Sequence, residues 1–196
     1  MQANLILYVL NTAISVIVAL VCLRFLLQLA RANFYNPISQ GVNRIIAPLS
    51  APFNGFPTVG TFNTGILVSA IVLQALGAGI CMFLLGGLPG IGQLIIWSIL
   101  SVFGVIINLV FYALLGMIIL SWLAPGASHP GAELLYQLSE PFLSPFRRIV
   151  PDLGGLDLSP ILLFVVINIL EAIVIRGPSR SMGLSSTVAQ FFTGIS

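Results

Sequence analysis

Asn36-Pro37, Ala47-Pro48, Pro52-Phe53, Pro57 and Gly60 return about 93 residues later as His129-Pro130, Glu140-Pro141, Pro145-Phe146, Pro151 and Gly154. A single inserted residue between Phe146 and Pro151 keeps the two sets in register. Each set stands just before a long apolar stretch, and another apolar stretch precedes it. Self-similarity on this scale identifies a building block used twice: apolar helix, polar proline-rich connector, apolar helix. The chain divides into a first repeat over 1–90 with its connector at 31–65, a second over 91–176 with its connector at 124–159, and a tail over 177–196.

Composition assigns the repeats to lipid. Of 196 residues, 58% are hydrophobic and 6% charged, with a mean hydropathy of +1.12. A soluble domain carries roughly 25% charged residues, so this chain lacks the polar side chains to coat a globule. A hydrocarbon core takes roughly 20 apolar residues of helix, and four stretches qualify: 5–30, 66–85, 91–123 and 160–175. The third holds no proline or charge between Gly92 and Leu123 and reads as one tilted span. The leading stretch has no basic residue before it and exceeds the roughly 7–15 residues of a signal-peptide core, so it reads as a retained helix. The expected fold is an all-α membrane protein of two tandem parallel hairpins, four transmembrane helices in all, with an interfacial helix in each connector.

All seven basic residues are arginines. Alternating spans put Arg31, Arg44, Arg147 and Arg148 on one side, with Arg24 near the same face, and Arg176 and Arg180 on the other. The positive-inside rule then makes the connectors cytoplasmic and both termini external. Both hairpins start on the same side, which relates them by an axis along the membrane normal.

In the second connector, Leu134, Leu135 and Leu138 share a helical face within 131–139, while Glu133, Gln137 and Ser139 suit the other. Pro141 and Pro145 lack amide donors and are expected to bend the chain, aiming Arg147 and Arg148 at the headgroups. The alternative reading of these arginines is a topological anchor with no partner. Gly154 and Gly155 permit a turn, and Ser159-Pro160 forms a favourable helix start. Asp152 and Asp157 can pair with arginines or act as caps, capping being the expectation.

Arg24-Phe-Leu-Leu-Gln28-Leu-Ala-Arg31-Ala-Asn33-Phe34-Tyr35-Asn36-Pro37-Ile-Ser39-Gln40, followed by Pro145-Phe-Arg147-Arg148-Ile-Val-Pro151 and Gly155-Leu-Asp157-Leu-Ser159-Pro160, closely resembles the motifs of the YggT/YlmG family of small bacterial and plastid membrane proteins. The resemblance covers nearly the whole chain in two-repeat form. It departs at Asn54 and Gly55, where members commonly carry a basic pair, and at Ala47, where threonine is usual. The resemblance implies no catalytic residues. For bacterial relatives it implies links to hyperosmotic tolerance, ion homeostasis or cell division. For plastid relatives it implies links to nucleoid distribution and to cofactor attachment in a cytochrome b subunit.

The residues themselves hold no GxSxG, P-loop, HExxH or metal-ligand spacing, so no enzyme, cofactor or nucleic-acid partner is expected. His129, the only histidine, precedes a proline and aligns with Asn36, which favours a turn role over a metal ligand. Cys22 and Cys81 fall toward opposite membrane faces, too far apart for a disulfide. Among apolar residues, Gln74 aligns with Asn168 and Ser15 with Asn108. Such amides either hold helices together or, with Glu171, line a polar path. Ala75, Gly79 and Gly116 are candidates for close helix approach.

Three functions follow as alternatives. One is a scaffold or assembly factor whose connectors use Arg147, Arg148, Arg44 and Arg31 to meet anionic lipid, a membrane-protein partner or a second copy. Another is a small oligomeric ion or osmolyte transporter using Gln74, Asn108, Asn168 and Glu171. The third is a haem or cofactor chaperone. The scaffold motif is carried by Arg24, Asn36, Pro37, Pro48, Pro52, Pro57, Pro141, Pro145, Pro151, Gly154, Asp157 and Pro160.

Overall fold

Where the helices begin is set by side-chain caps that the duplication supplies in pairs. A computed structural model describes residues 2–87, 90–124, 129–149 and 157–173. Helix α1 (Gln2–Leu29) leads to Asn36, whose backbone is extended and whose Oδ1 accepts from the Ile38 amide at 3.0 Å, opening α2 (Pro37–Ser50). His129 repeats the arrangement for α5 (Pro130–Arg147), its Nδ1 accepting from the Gly131 amide at 3.1 Å. In both helices proline holds the first position, where an amide donor would have no partner. Asn63 caps α3 (Thr64–Leu84) by accepting from the Ile66 amide at 3.1 Å. Its counterpart Asp157 accepts from the Ser159 amide at 2.9 Å at the start of α6 (Ser159–Glu171). Each such cap is worth about 1 kcal/mol. Helix α4 (Ile91–Leu123) opens the second repeat.

Packing follows the same duplication. Helix α1 lies on α2 and α3, α4 lies on α5 and α6, and α1 meets α4 between the repeats. One core joins Val18, Val21 and Phe25 of α1 to Ile66 and Ala70 of α3, Leu114 of α4, Leu143 of α5 and Leu163 of α6. In the first connector, a 3-10 turn (Ala51–Phe53) follows α2. A two-stranded hairpin comes next, β1 (Thr58–Val59) and β2 (Phe62–Asn63), with Thr58 opposite Asn63 and Val59 opposite Phe62. Gly60, at φ +62°, makes the turn, a conformation that glycine adopts without steric cost. Phe62 packs edge-on against Phe25 with ring centroids 5.2 Å apart, tying the hairpin to α1.

Exposure is inverted relative to a water-soluble bundle. Ser69, Gln74, Ser98 and Ser101 are buried, whereas Leu5, Phe83, Ile91 and Trp122 are exposed. Only 22% of the most apolar part of α1 is buried, so most of that surface has no protein to cover it. Three helices, Leu5–Leu29, Thr64–Leu84 and Ile91–Leu123, are long and apolar enough to cross a membrane. The expected fourth span at 160–175 forms a helix of 13 residues, Ser159–Glu171. At 1.5 Å per residue it covers about 20 Å of a core about 30 Å thick. Residues 174–175 lie outside the described residues, as do Pro151, Asp152, Gly154, Gly155, Arg176, Arg180 and the tail.

Pro141 and Pro145 do not end the helix. Helix α5 runs through both prolines to Arg147, well past the 131–139 stretch expected to be helical, as α2 runs through Pro48. All three prolines are on the exposed side, where a carbonyl left without its donor one turn earlier can be hydrated. Pro52, the counterpart of Pro145, falls in the 3-10 turn, so one scaffold ends its helix at different points in the two repeats. The expected close contact at Gly79 is also absent, since a Cβ there would sit 3.8 Å from Leu94. Gly77 takes that role, for a Cβ would fall 2.5 Å from Ile14 Cγ2 of α1. Gly116 does approach closely, with Leu135 Cδ1 at 3.0 Å from the Cβ position.

Candidate functional site

At the end of α1, Arg24 and Gln28 stand four residues apart on one helical face, and Arg31 follows just past the last turn. Arg24 is half-buried, and its Nη1 donates to Ser50 Oγ at the end of α2. Ser50 is itself buried and donates to the Ile46 carbonyl at 3.2 Å, so the guanidinium is oriented by an element already fixed in place.

Helix α1 closes with the Ala32 amide on the Leu27 carbonyl at 2.9 Å and the Arg31 amide on the Gln28 carbonyl at 3.2 Å. That is the Schellman pattern, which puts one residue in the left-handed conformation and favours glycine there. Here the residue is Arg31, at φ 53°, the only non-glycine with positive φ among the described residues. An L-residue in that region costs about 1–2 kcal/mol.

Arg24, Gln28 and Arg31, with Leu27, Ala32 and Phe34, meet Ser39 and Asn43 of α2 around an open cavity of about 440 Å³. None of these lining residues is acidic. Ser39 is buried and its Oγ has no hydrogen-bond partner. On the far side of Leu27 lies a second cavity of about 400 Å³, apolar, lined by Leu23, Leu27, Ile38, Leu120, Leu134 and Leu138 among others.

The two connectors meet beside these cavities. Asn36 is buried, and while its Oδ1 caps α2 its Nδ2 donates to the Pro130 carbonyl at 2.8 Å. Gln137 Oε1 accepts from the Asn33 amide at 2.8 Å, and Glu133 Oε1 accepts from Asn33 Nδ2 at 3.2 Å. One corner of the first repeat is thereby stitched to the first turns of α5.

The remaining candidates are dispersed. Arg147 forms ion pairs with Glu140 at 2.6 Å and Asp157 at 2.9 Å, and Asp157 also accepts from the Ser159 amide just ahead of the α6 N-cap, Leu158. The Asp157 hydrogen bond and charge, with Glu140, raise the Arg147 pKa against the pull of burial. For Asp157, burial pushes the carboxyl up, but the bonds from Ser159 and the Arg147 charge together hold it below its ordinary value. Arg148 and Arg44 are exposed. Gln74 is buried in α3 and Asn108 half-buried in α4, while Asn168 is exposed and donates to its own helix at the Phe164 carbonyl, 2.8 Å away. Glu171 is half-buried near the end of α6. Gln74 and Asn168, paired in sequence, thus occupy an interior and an exterior position. No group of three or more metal-ligating side chains occurs among the described residues.

Sequence reasoning named Arg24 and Arg31 but passed over Gln28, Ser39 and Asn43 as site residues. The spacing from Arg24 to Arg31 was a usable signal. The partner residues on α2 were not, since only the turn at 30–36 determines which face of α2 is presented.

Helices with apolar exteriors, arranged as two copies of one unit around capped connectors, define an integral membrane protein of tandem repeats. The CCB3/YggT family model matches twice, over residues 3–84 and 96–177, and the chain belongs to that family. It is 42% identical over 187 residues to the uncharacterized protein PA0392 of Pseudomonas aeruginosa, covering 94% of this chain and 95% of the relative. It is 33% identical over 171 residues to the uncharacterized protein YggT of Escherichia coli strain K12, covering 86% and 88%. A shorter match, 47% over 51 residues, links it to the chloroplastic YlmG homolog protein 2 of Arabidopsis thaliana, over 26% of this chain and 20% of that one. No solved structure matches the chain.

Proposed function

We propose that this protein is a non-enzymatic membrane scaffold or assembly factor of the bacterial inner membrane, acting in envelope or osmotic homeostasis or in cell division. Helix α6 completes a fourth span, the connectors are cytoplasmic and the termini external. The observation that carries the reading is the junction of the two connectors. Asn36 and Asn33 bind α5 directly, so the two connectors are held together, and Arg44, Arg148, Phe34 and Tyr35 are exposed on them. Aromatic and arginine side chains on a fixed platform suit recognition of a membrane-protein partner or a second copy, and arginines beside anionic lipid add about 1 kcal/mol each. A transporter gains less support, because Gln74 and Asn168 do not share an interior.

The test is capture of partners from native membranes by tagged wild type and by an Arg44→Ala, Arg148→Ala variant, which leaves the Arg147 ion pairs intact. A protein held by the wild type and lost by the variant at equal expression is the expected result. An identical set of captured proteins would sink the scaffold reading.

A further inference from the structure

The polar cavity of the first repeat differs in three ways from the matching place in the second. A buried hydroxyl, Ser39 Oγ, has no partner, although burying a hydroxyl without a hydrogen bond is unfavourable. Its counterpart in the second repeat is Ala132, also buried, so the same helix packs without the hydroxyl. Arg31 occupies a left-handed position, whereas its counterpart Ala124 has φ −144°. The third feature is the whole lining: Arg24, Gln28, Arg31, Ser39 and Asn43 correspond to Met117, Ser121, Ala124, Ala132 and Tyr136. One copy of the unit has kept two guanidinium groups, two amides and a hydroxyl around a cavity, and the other has kept no charge there.

We propose that the Arg24–Arg31 cavity is a binding site for a phosphate group. Guanidinium groups donate in a planar fork that matches phosphate oxygens. The hydroxyl and amides of Ser39, Gln28 and Asn43 can satisfy the oxygens that the arginines leave, and no lining carboxylate opposes them. An occupant of this kind gives Ser39 Oγ its missing acceptor. The cavity opens at the end of a membrane-crossing helix, so the phosphate can belong to a phospholipid headgroup or to a free anion. The site does not depend on the scaffold reading, because none of its residues is one of the exposed arginines tested by partner capture.

The experiment uses the full chain in an uncharged maltoside detergent and follows the thermal midpoint, which rises with any ligand that binds the folded state. The probes are short-chain phosphatidylglycerol, the matching diacylglycerol, and inorganic phosphate. Phosphatidylglycerol should stabilise the protein and diacylglycerol should not. Arg31→Gln should weaken binding roughly tenfold, as loss of a hydrogen bond to a charged group does. Ser39→Ala, which alters no charge, should weaken it roughly threefold while leaving the unliganded midpoint unchanged or higher. Stabilisation by inorganic phosphate with the same dependence on both residues identifies the free anion as sufficient. Stabilisation by the lipid alone identifies a headgroup site. The proposal is overturned if neither phosphate-bearing probe stabilises the protein, if diacylglycerol acts equally well, or if Ser39→Ala binds as tightly as wild type.

Discussion

The first repeat fastens its connector to the membrane helices with a part-buried hydrogen bond, Arg24 on Ser50, and with a close approach of Gly65 to the Phe53 carbonyl. At the corresponding places the second repeat has Met117, Leu143 and Ser159, all buried, and its fastening is the Arg147 bridge between Glu140 and Asp157 at the surface. The two solutions are not interchangeable locally. Helix α5 continues past Pro145 to carry Arg147 toward Asp157, whereas the first connector turns at Ala51–Phe53 and brings its carbonyl onto Gly65. A duplicated unit can therefore keep its caps and packing while the residues that close it change from polar interior to charged exterior.

The contrast can be broken most severely at Gly65. A Cβ there would collide with the Phe53 backbone oxygen, which cannot rotate away as a side chain would. Gly65→Ala is expected to destabilise the protein by about 1–3 kcal/mol, the usual cost of overpacking. Thermal unfolding in detergent would reveal it. Ser159→Ala at the counterpart should cost less, because Ser159 already carries a Cβ at that place and the change adds no atom. Equal losses at both positions would show that the repeats close in the same way.

A second test transplants one interior into the other. Arg24→Met alone removes the group that Ser50 accepts from and should cost about 1–2 kcal/mol. Adding Ser50→Leu copies the apolar pair of the second repeat and should recover part of that loss. A double-mutant cycle measures the coupling, and strict additivity would show that the two side chains act independently.

The smallest effect is expected at Arg147. Its ion pairs are partly exposed, so Arg147→Ala should cost about 0.2–1 kcal/mol near neutral pH, and less in high salt. The pH dependence has a definite sign. The folded-state pKa of Asp157 is depressed, so its contribution is present above the unfolded-state value. It is lost as the pH falls from the ordinary 3.8 through the lower folded value. Unfolding midpoints of wild type and Arg147→Ala should converge over that acid range. A difference that persists below it would assign the stabilisation to packing of the arginine side chain.

Much of the architecture was legible because it depends on local rules. Proline after Asn36 and His129 and the Asp157-Leu-Ser159-Pro160 run announce helix starts, and the apolar stretches announce their own length. The passage of α5 through Pro141 and Pro145 was not legible, since proline tolerance depends on which side of the helix meets solvent, a property of the packed structure. The ion pair at Arg147 was half legible: its charge and neighbours were plain, its geometry was not. The cavity was least legible. Its wall on α1 has a regular spacing, but Ser39 and Asn43 join it only through the left-handed turn at Arg31, where the chain departs from the glycine such a turn favours.

The Asn36 side chain, shared between its own helix and the Pro130 carbonyl, has a bearing on how the protein is made. A ribosome delivers the first hairpin to the bilayer well before Pro130 is synthesised. During that interval the buried amide of Asn36 lacks its acceptor, and the Asn33 amide lacks Gln137. These contacts can close only once the second connector has emerged, so the junction forms late in synthesis. Two halves produced as separate chains should each insert, yet settle into the native arrangement only on meeting one another.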